Sequence, residues 1–179
     1  MVNSPGRVAA RFLRSSTVTA YHVGSMKPGQ RFTSEFMGGG EGNLLLGPGV
    51  YFSTDLKTSL IYAKYARPAY LHTVTLDTKG YYDPTWGTPK PLREALSSCI
   101  QALVGGGVIP QGFADRGSSS DLKYGRGYIG VLHEALGAKK ALRAFRDLGI
   151  TGTLEKLSDS TEYAVFDMST IRLIESKAL

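Results

Sequence analysis

Three side chains with chemistry to offer stand in three separate strand-like segments of this chain: His22, Tyr51 and Glu162. Behind Tyr51 come Ser59 and Tyr62, three residues apart and therefore on one face of a helix. An aromatic at the end of a strand, with a Ser/Tyr pair on the helix that follows, suits the wall of a single cleft. Each residue also has a plainer reading. His22 fits a hydrogen-bonded strand histidine, Tyr51 a core aromatic, and Glu162 a charge that guards a strand edge against mispairing. Several other chemistries find no support. His22, His72, His133 and Cys99 have no ligand-like spacing, which argues against a metal site. No Gly-x-Ser-x-Gly elbow offers a hydrolase serine. Neither a Gly-x-Gly-x-x-Gly after a strand nor a phosphate-binding Gly-Lys-Ser/Thr is present. A paired-carboxylate mechanism stays open, because pairs made in space do not show in a sequence.

The elements that must position these residues can be read from pattern. Thr17 to Val23 is β-branched and predicts a strand with Ala20 and His22 on one face, Tyr21 and Val23 on the other. Residues 26–47 read as a long loop. Gly47-Pro48-Gly49 is a tight turn, Val50 to Phe52 a short buried strand, and Ser53, Thr54 and Asp55 a cluster of capping oxygens for a helix from Leu56 to Ala66. Residues 69–77 predict a further strand, closed by a turn at 80–84. Leu92 to Val104 carries Leu92, Ala95, Leu96, Cys99, Ile100 and Leu103 on one helical stripe. Residues 105–127 are a glycine- and serine-rich loop. Two helices follow, at 128–136 and 138–148, broken at Gly137 and capped at Gly149. The chain closes on strand-like pieces at 150–156, 162–168 and 171–174. Strands at both ends with helices between argue for an α+β domain rather than a doubly wound parallel sheet.

Taken in order, these segments resemble the ADP-ribosyltransferases, in the His-Tyr-Glu branch of the poly(ADP-ribose) polymerases and diphtheria toxin. Tyr21-His22-Val23-Gly24-Ser25 is similar to that branch's His-Gly-Ser strand. Gly49-Val50-Tyr51-Phe52 with Ser59 and Tyr62 is similar to its Gly-x-Tyr-Phe…Ser…Tyr stretch. Glu162-Tyr163-Ala164-Val165-Phe166-Asp167, preceded by Leu148-Gly149-Ile150-Thr151-Gly152, resembles the C-terminal Glu strand of bacterial and phage members, including domains of phage polyvalent proteins. The resemblance covers residues 17–174. It implies two small, mainly antiparallel sheets packed around an NAD cleft with flanking helices. It implies NAD⁺ as co-substrate, with Glu162 bonding the ribose 2′-OH and facing the oxocarbenium charge that develops as nicotinamide leaves. His22 would bond the adenosine-side ribose. Tyr51 and Tyr62 would sandwich the nicotinamide ring, and Ser59 would bond its carboxamide. One departure is plain. The polymerases place Gly directly after the His, whereas here Val23 intervenes before Gly24, so the Val23 backbone would have to hold the amide, beside Gly24 and Ser25.

Length and charge add bounds. With 179 residues the chain fits one catalytic domain over 17–179, after a basic segment at 1–16. That segment has Arg7, Arg11 and Arg14 and no acid, and reads as a short helix or, less simply, an organellar presequence. The net charge of +6 favours acidic partners without choosing among them. No apolar run is long enough to span a bilayer. The single Cys99 cannot form an internal disulfide, which suits a reducing compartment or a fold that needs no staples; a cytoplasmic monomer without metal is the expectation. The expected activity is mono-ADP-ribosyl transfer to a host macromolecule, a protein side chain before nucleic acid, by a phage or bacterial effector or toxin. NAD⁺ glycohydrolysis and a non-catalytic basic binding module on the same fold are the alternatives.

Overall fold

The computed structural model describes residues 16–33, 46–83, 90–112 and 126–179. The helix expected within residues 1–16 therefore lies outside the described residues, as do 34–45 and 113–125 of the two long loops. In chain order the elements are β1 (Thr17–Gly24), β2 (Val50–Ser53), α1 (Leu56–Leu60), β3 (Tyr70–Asp77), β4 (Tyr81–Tyr82), α2 (Lys90–Gly105), α3 (Arg126–Asp147), β5 (Gly152–Lys156), β6 (Thr161–Val165) and β7 (Ile171–Ala178). Among the described residues, 3-10 turns run at Ile61–Tyr65 after α1 and at Met168–Thr170 before β7. The fold is α+β, as the order of elements predicted. Among the described residues no helix is long and apolar enough to cross a membrane.

The strands form one hydrogen-bonded sheet in the order β4-β5-β6-β2-β1-β3-β7, antiparallel except for the β4–β5 pair. The two sheets expected from sequence are in this sense continuous, but the continuity is narrow. β1 pairs with β3 along its whole length, and β2 pairs with β6 along its whole length. Between β1 and β2 only Tyr21 and Ser53 are in register. The sheet is thus two half-sheets joined at one residue pair, with a split opening beyond it.

Period-two alternation sorts the side chains onto two faces, each with its own core. One face carries Ala20, Val50, Phe52, Val74, Leu154, Tyr163 and Val165, covered by Met26 and Phe32 from the loop after β1. The other presents Ala164 and Phe166 to α2 and α3, through Leu96, Ile100, Ile129, Leu132 and Phe145. Of the predicted stripe on α2, Leu96, Cys99, Ile100 and Leu103 pack in this core. The predicted break in the next helix is there too: α3 bends at Gly137, where φ is 72° and ψ 161°. It ends as expected at Gly149, whose N–H donates to the Arg146 carbonyl at 2.9 Å while Ile150 N–H reaches back to Phe145 at 2.9 Å.

Phe145 anchors α3 to the sheet. It is fully buried and stacks on Phe166, ring centroids 5.1 Å apart. Phe145→Ala should lower the unfolding free energy by about 3–5 kcal/mol, the range for emptying a buried aromatic site, as read from denaturant midpoints. A loss below about 1 kcal/mol would mean the helix is not docked there.

Candidate active site

The turn that delivers Tyr51 is built from Gly47-Pro48-Gly49. Gly47 has φ of 109°, and a Cβ there would meet Phe166 at 2.6 Å and Ile129 at 2.8 Å. Only glycine fits a backbone so twisted and so closely packed. Its carbonyl accepts from the Tyr51 hydroxyl at 2.8 Å, and that hydroxyl in turn accepts from Leu46 N–H at 3.2 Å. The ring is therefore held by its tip to the turn that precedes it. Burial pushes the Tyr51 hydroxyl up to about 12, with the Glu162 charge adding to the rise. Tyr51 is a fixed ring that keeps its hydroxyl proton at neutral pH.

Of the three capping candidates, Asp55 is the cap. Its carboxylate accepts from Thr58 N–H at 2.8 Å and Lys57 N–H at 3.3 Å, and also from the Thr58 hydroxyl at 2.8 Å. Ser53 Oγ accepts from Asp55 N–H at 3.1 Å. Thr54 does something else. Its N–H donates to the Thr161 carbonyl at 3.0 Å, and its hydroxyl accepts from Thr161 N–H at 2.8 Å. This clamp extends the β2–β6 ladder past its last pair, Ser53 with Glu162, and so fixes the strand start that carries Glu162.

The expected helix to Ala66 is shorter than predicted: α1 ends at Leu60 and the chain tightens into the 3-10 turn. Ser59 is 3% exposed, and its hydroxyl donates to the Tyr21 carbonyl at 3.1 Å, tying α1 to β1 across the split. That proton is committed, which leaves Ser59 only its lone pairs for any ligand. Tyr62 lies on the 3-10 turn and is 45% exposed. Burial raises its hydroxyl above the ordinary value and the Glu162 charge adds to this. Glu162 is itself lifted above the ordinary carboxylate range, by burial first and by the neighbouring Glu155 second. Tyr51 and Glu162 lie on one face of the sheet, by the pairs Tyr51 with Ala164 and Ser53 with Glu162, and the Glu162 charge acts on both Tyr51 and Tyr62.

His22 reaches the same place from the opposite face. Its ring sits among Phe52 at 5.4 Å, Phe32 at 5.5 Å and its cross-strand partner His72 at 6.0 Å. Its Nδ1 lies 2.8 Å from the Tyr51 carbonyl. A carbonyl only accepts, so Nδ1 carries the proton and Nε2 is left as an acceptor in the neutral ring. Burial lowers His22 to about 4, against the favourable bond to Tyr51 and with help from His72. The nitrogen left free in the neutral ring can therefore only accept a hydrogen bond. It lies against Gly24, where a Cβ would come within 2.6 Å of Nε2.

The backbone of Val23 is the further feature of this corner. Tyr51 turns its carbonyl toward β1, and antiparallel alternation makes Ser53 do the same and meet Tyr21. Two residues along, Val23 has the same sense as Tyr21, so its N–H and C=O point toward β2. The β1–β2 ladder has already ended at Tyr21, and these groups face the split. The Val23 side chain is buried away from solvent, 8% exposed, while Ser25 is exposed. An N–H and a C=O presented side by side suit a primary carboxamide, which offers one acceptor and two donors.

Sequence reasoning missed the Thr54–Thr161 clamp, the Phe32, Phe52 and His72 surround of His22, and the apposition of Glu155 with Glu162. The last was legible: a hairpin turning at 157–160 pairs 156 with 161 and 155 with 162.

No family model matches this chain, and no curated protein matches it significantly. Among solved structures, a chain of the M. tuberculosis MbcT-MbcA toxin-antitoxin complex aligns with 97% of this chain and 90% of its own, at 20% identity and a TM-score of 0.47. A likeness of that size fixes no function.

Because the folded state holds His22 near 4 while the unfolded chain titrates near 6.5, the unfolded state binds more protons between those values. Stability from this group is complete above about 6.5 and is lost as pH falls toward 4. A ¹H–¹⁵N NMR titration should find His22 as the Nδ1–H tautomer with a midpoint about 4. A midpoint near 6.5 would show that the ring is not wedged in the sheet.

Proposed function

We propose that this chain transfers ADP-ribose from NAD⁺ to a macromolecular acceptor. The observation that carries the reading is the split between β1 and β2. In this reading the Val23 main chain at the split is the fork for a carboxamide, and its neighbours are the fixed ring of Tyr51, the exposed Tyr62 and the half-buried carboxylate of Glu162. In the proposed complex the nicotinamide amide bonds to Val23 and its ring lies against Tyr51 and Tyr62. A ribose hydroxyl donates to Nε2 of His22. Ser59 positions β1 and α1 around the ring, and Ser59 Oγ is free only to accept. Glu162 bonds the ribose 2′-OH and stabilises positive charge as the glycosidic bond lengthens. That stabilisation is stronger in the transition state than in bound NAD⁺, which is what accelerates the step. Gly24 leaves room for a ligand at Nε2, and Ser25 lies beyond it on the exposed side.

A macromolecular acceptor is favoured over water by the rim of the cleft. Leu56, Leu60, Ile61, Tyr62 and Tyr65 are 38% to 59% exposed, with Lys57 and Lys64 among them. Such a rim suits a protein surface with acidic character, and an effector acting on a protein of the cell it enters or is expressed in is the role that follows.

With labelled NAD⁺ in a cell lysate, the parent should release nicotinamide and label macromolecules, and Glu162→Gln should cut both by about 10²–10³. Release of free ADP-ribose without labelling would make the chain a glycohydrolase. Equal release by parent and variant would remove Glu162 from the chemistry.

A further inference from the structure

The β5–β6 hairpin closes at Leu157–Ser160, where Leu157 N–H donates to the Ser160 carbonyl at 2.8 Å. The resulting register sets Glu155 directly opposite Glu162. Directly opposed residues share a face, with Cβ atoms roughly 4.5–5.5 Å apart. Both glutamates are half-buried, while Leu154 and Tyr163 beside them point into the core of the opposite face. On its other flank Glu162 faces Ser53. The sheet therefore brings a second carboxylate to the proposed reaction centre, and like charges placed directly opposite are destabilising.

Glycosyl transfer has a use for two carboxylates with different tasks. Glu162 must stay charged against the oxocarbenium ion, so it cannot also accept a proton from the incoming nucleophile. We propose that Glu155 is the general base that takes this proton. The proposal rests on the ADP-ribosyl reading of the site. The bond from the ribose anomeric carbon to the pyridinium nitrogen breaks, and nicotinamide leaves neutral with the electron pair. The acceptor's O–H or N–H atom bonds to the anomeric carbon and its proton passes to the Glu155 carboxylate. Atoms and charge balance without any further reactant. The acceptor class follows: a hydroxyl, amide or guanidinium nitrogen, whose attacking atom carries a proton, rather than a carboxylate, which needs no base.

Azide is the discriminating probe, because it attacks without losing a proton. The full chain is given NAD⁺ in buffer and nicotinamide release is measured for the parent, Glu155→Gln, Glu155→Ala and Glu162→Gln. The two Glu155 variants should fall by about a hundredfold, within the usual contribution of a general base. Sodium azide should return about tenfold or more of that loss and yield ADP-ribosyl azide by mass spectrometry. Glu162→Gln should stay inactive with azide. Unfolding transitions identify any variant that has lost its fold, and the isosteric Glu155→Gln then carries the test. Parent-like release by Glu155→Gln, or a loss that azide leaves unchanged in a folded variant, overturns the role of Glu155 alone. Parent-like release by Glu162→Gln overturns the underlying reading.

Discussion

The bond from His22 Nδ1 to the Tyr51 carbonyl stands where the sheet stops being a sheet. In a continuous ladder that carbonyl would accept from a backbone N–H of β1. Here an imidazole takes the N–H's place, and the strands beyond Tyr21 and Ser53 are held apart by a side chain. An unsatisfied buried carbonyl costs about 1–3 kcal/mol, so the wedge removes a penalty that would otherwise drive the strands together or let water in. Three further features depend on it. The ring's tautomer is fixed, the Val23 main chain is left facing open space, and residue 24 must be glycine because Nε2 occupies the volume of a Cβ.

Around the wedge, a few bonds keep the two half-sheets at their separation. Ser59 ties α1 to β1, and the Thr54–Thr161 clamp ties β2 to β6 at the residue before Glu162. Each is worth about 0.5–1.5 kcal/mol net, which is small against the burial of the two cores. Their importance is positional. The hydrophobic faces, with Phe52 on one side and Tyr51 against the other, would tolerate small shifts of one half-sheet past the other. Directional bonds at the split do not. A partly buried histidine whose charged form is disfavoured by burial and two directly opposed glutamates flank the same site.

Much of this was legible in the sequence, and the limits are physical. Period-two alternation put His22 with Ala20 and apart from Val23, and the cores agree. Gly137 and Gly149 marked real breaks because no other residue suits those backbone angles. The helix after Asp55 was overrun: Ile61 to Tyr65 has the composition of a helix, yet the chain tightens there into a 3-10 turn with no buried residue. Three residues in separate strands were correctly placed in order, but alternation also puts the His22 ring and the Tyr51 ring on opposite faces, a consequence visible only once β1 and β2 are known to be neighbours. Ser59 looked like a ligand contact and its hydroxyl proton is spent on Tyr21. The final strand runs to Ala178 rather than 174, because Glu175, Ser176 and Lys177 on a solvated edge carry no hydrophobic signal. Its polarity suits an edge that must not recruit another strand.

The central claim is that the split holds a carboxamide on the Val23 main chain. Amide chemical shifts of protein labelled with ¹⁵N-valine, titrated with nicotinamide and separately with nicotinic acid, address it directly. The account predicts a saturable shift of the Val23 N–H with nicotinamide and a much weaker one with the acid, which lacks the donor. Saturable shifts confined to other valines, with Val23 unmoved by nicotinamide, would contradict it.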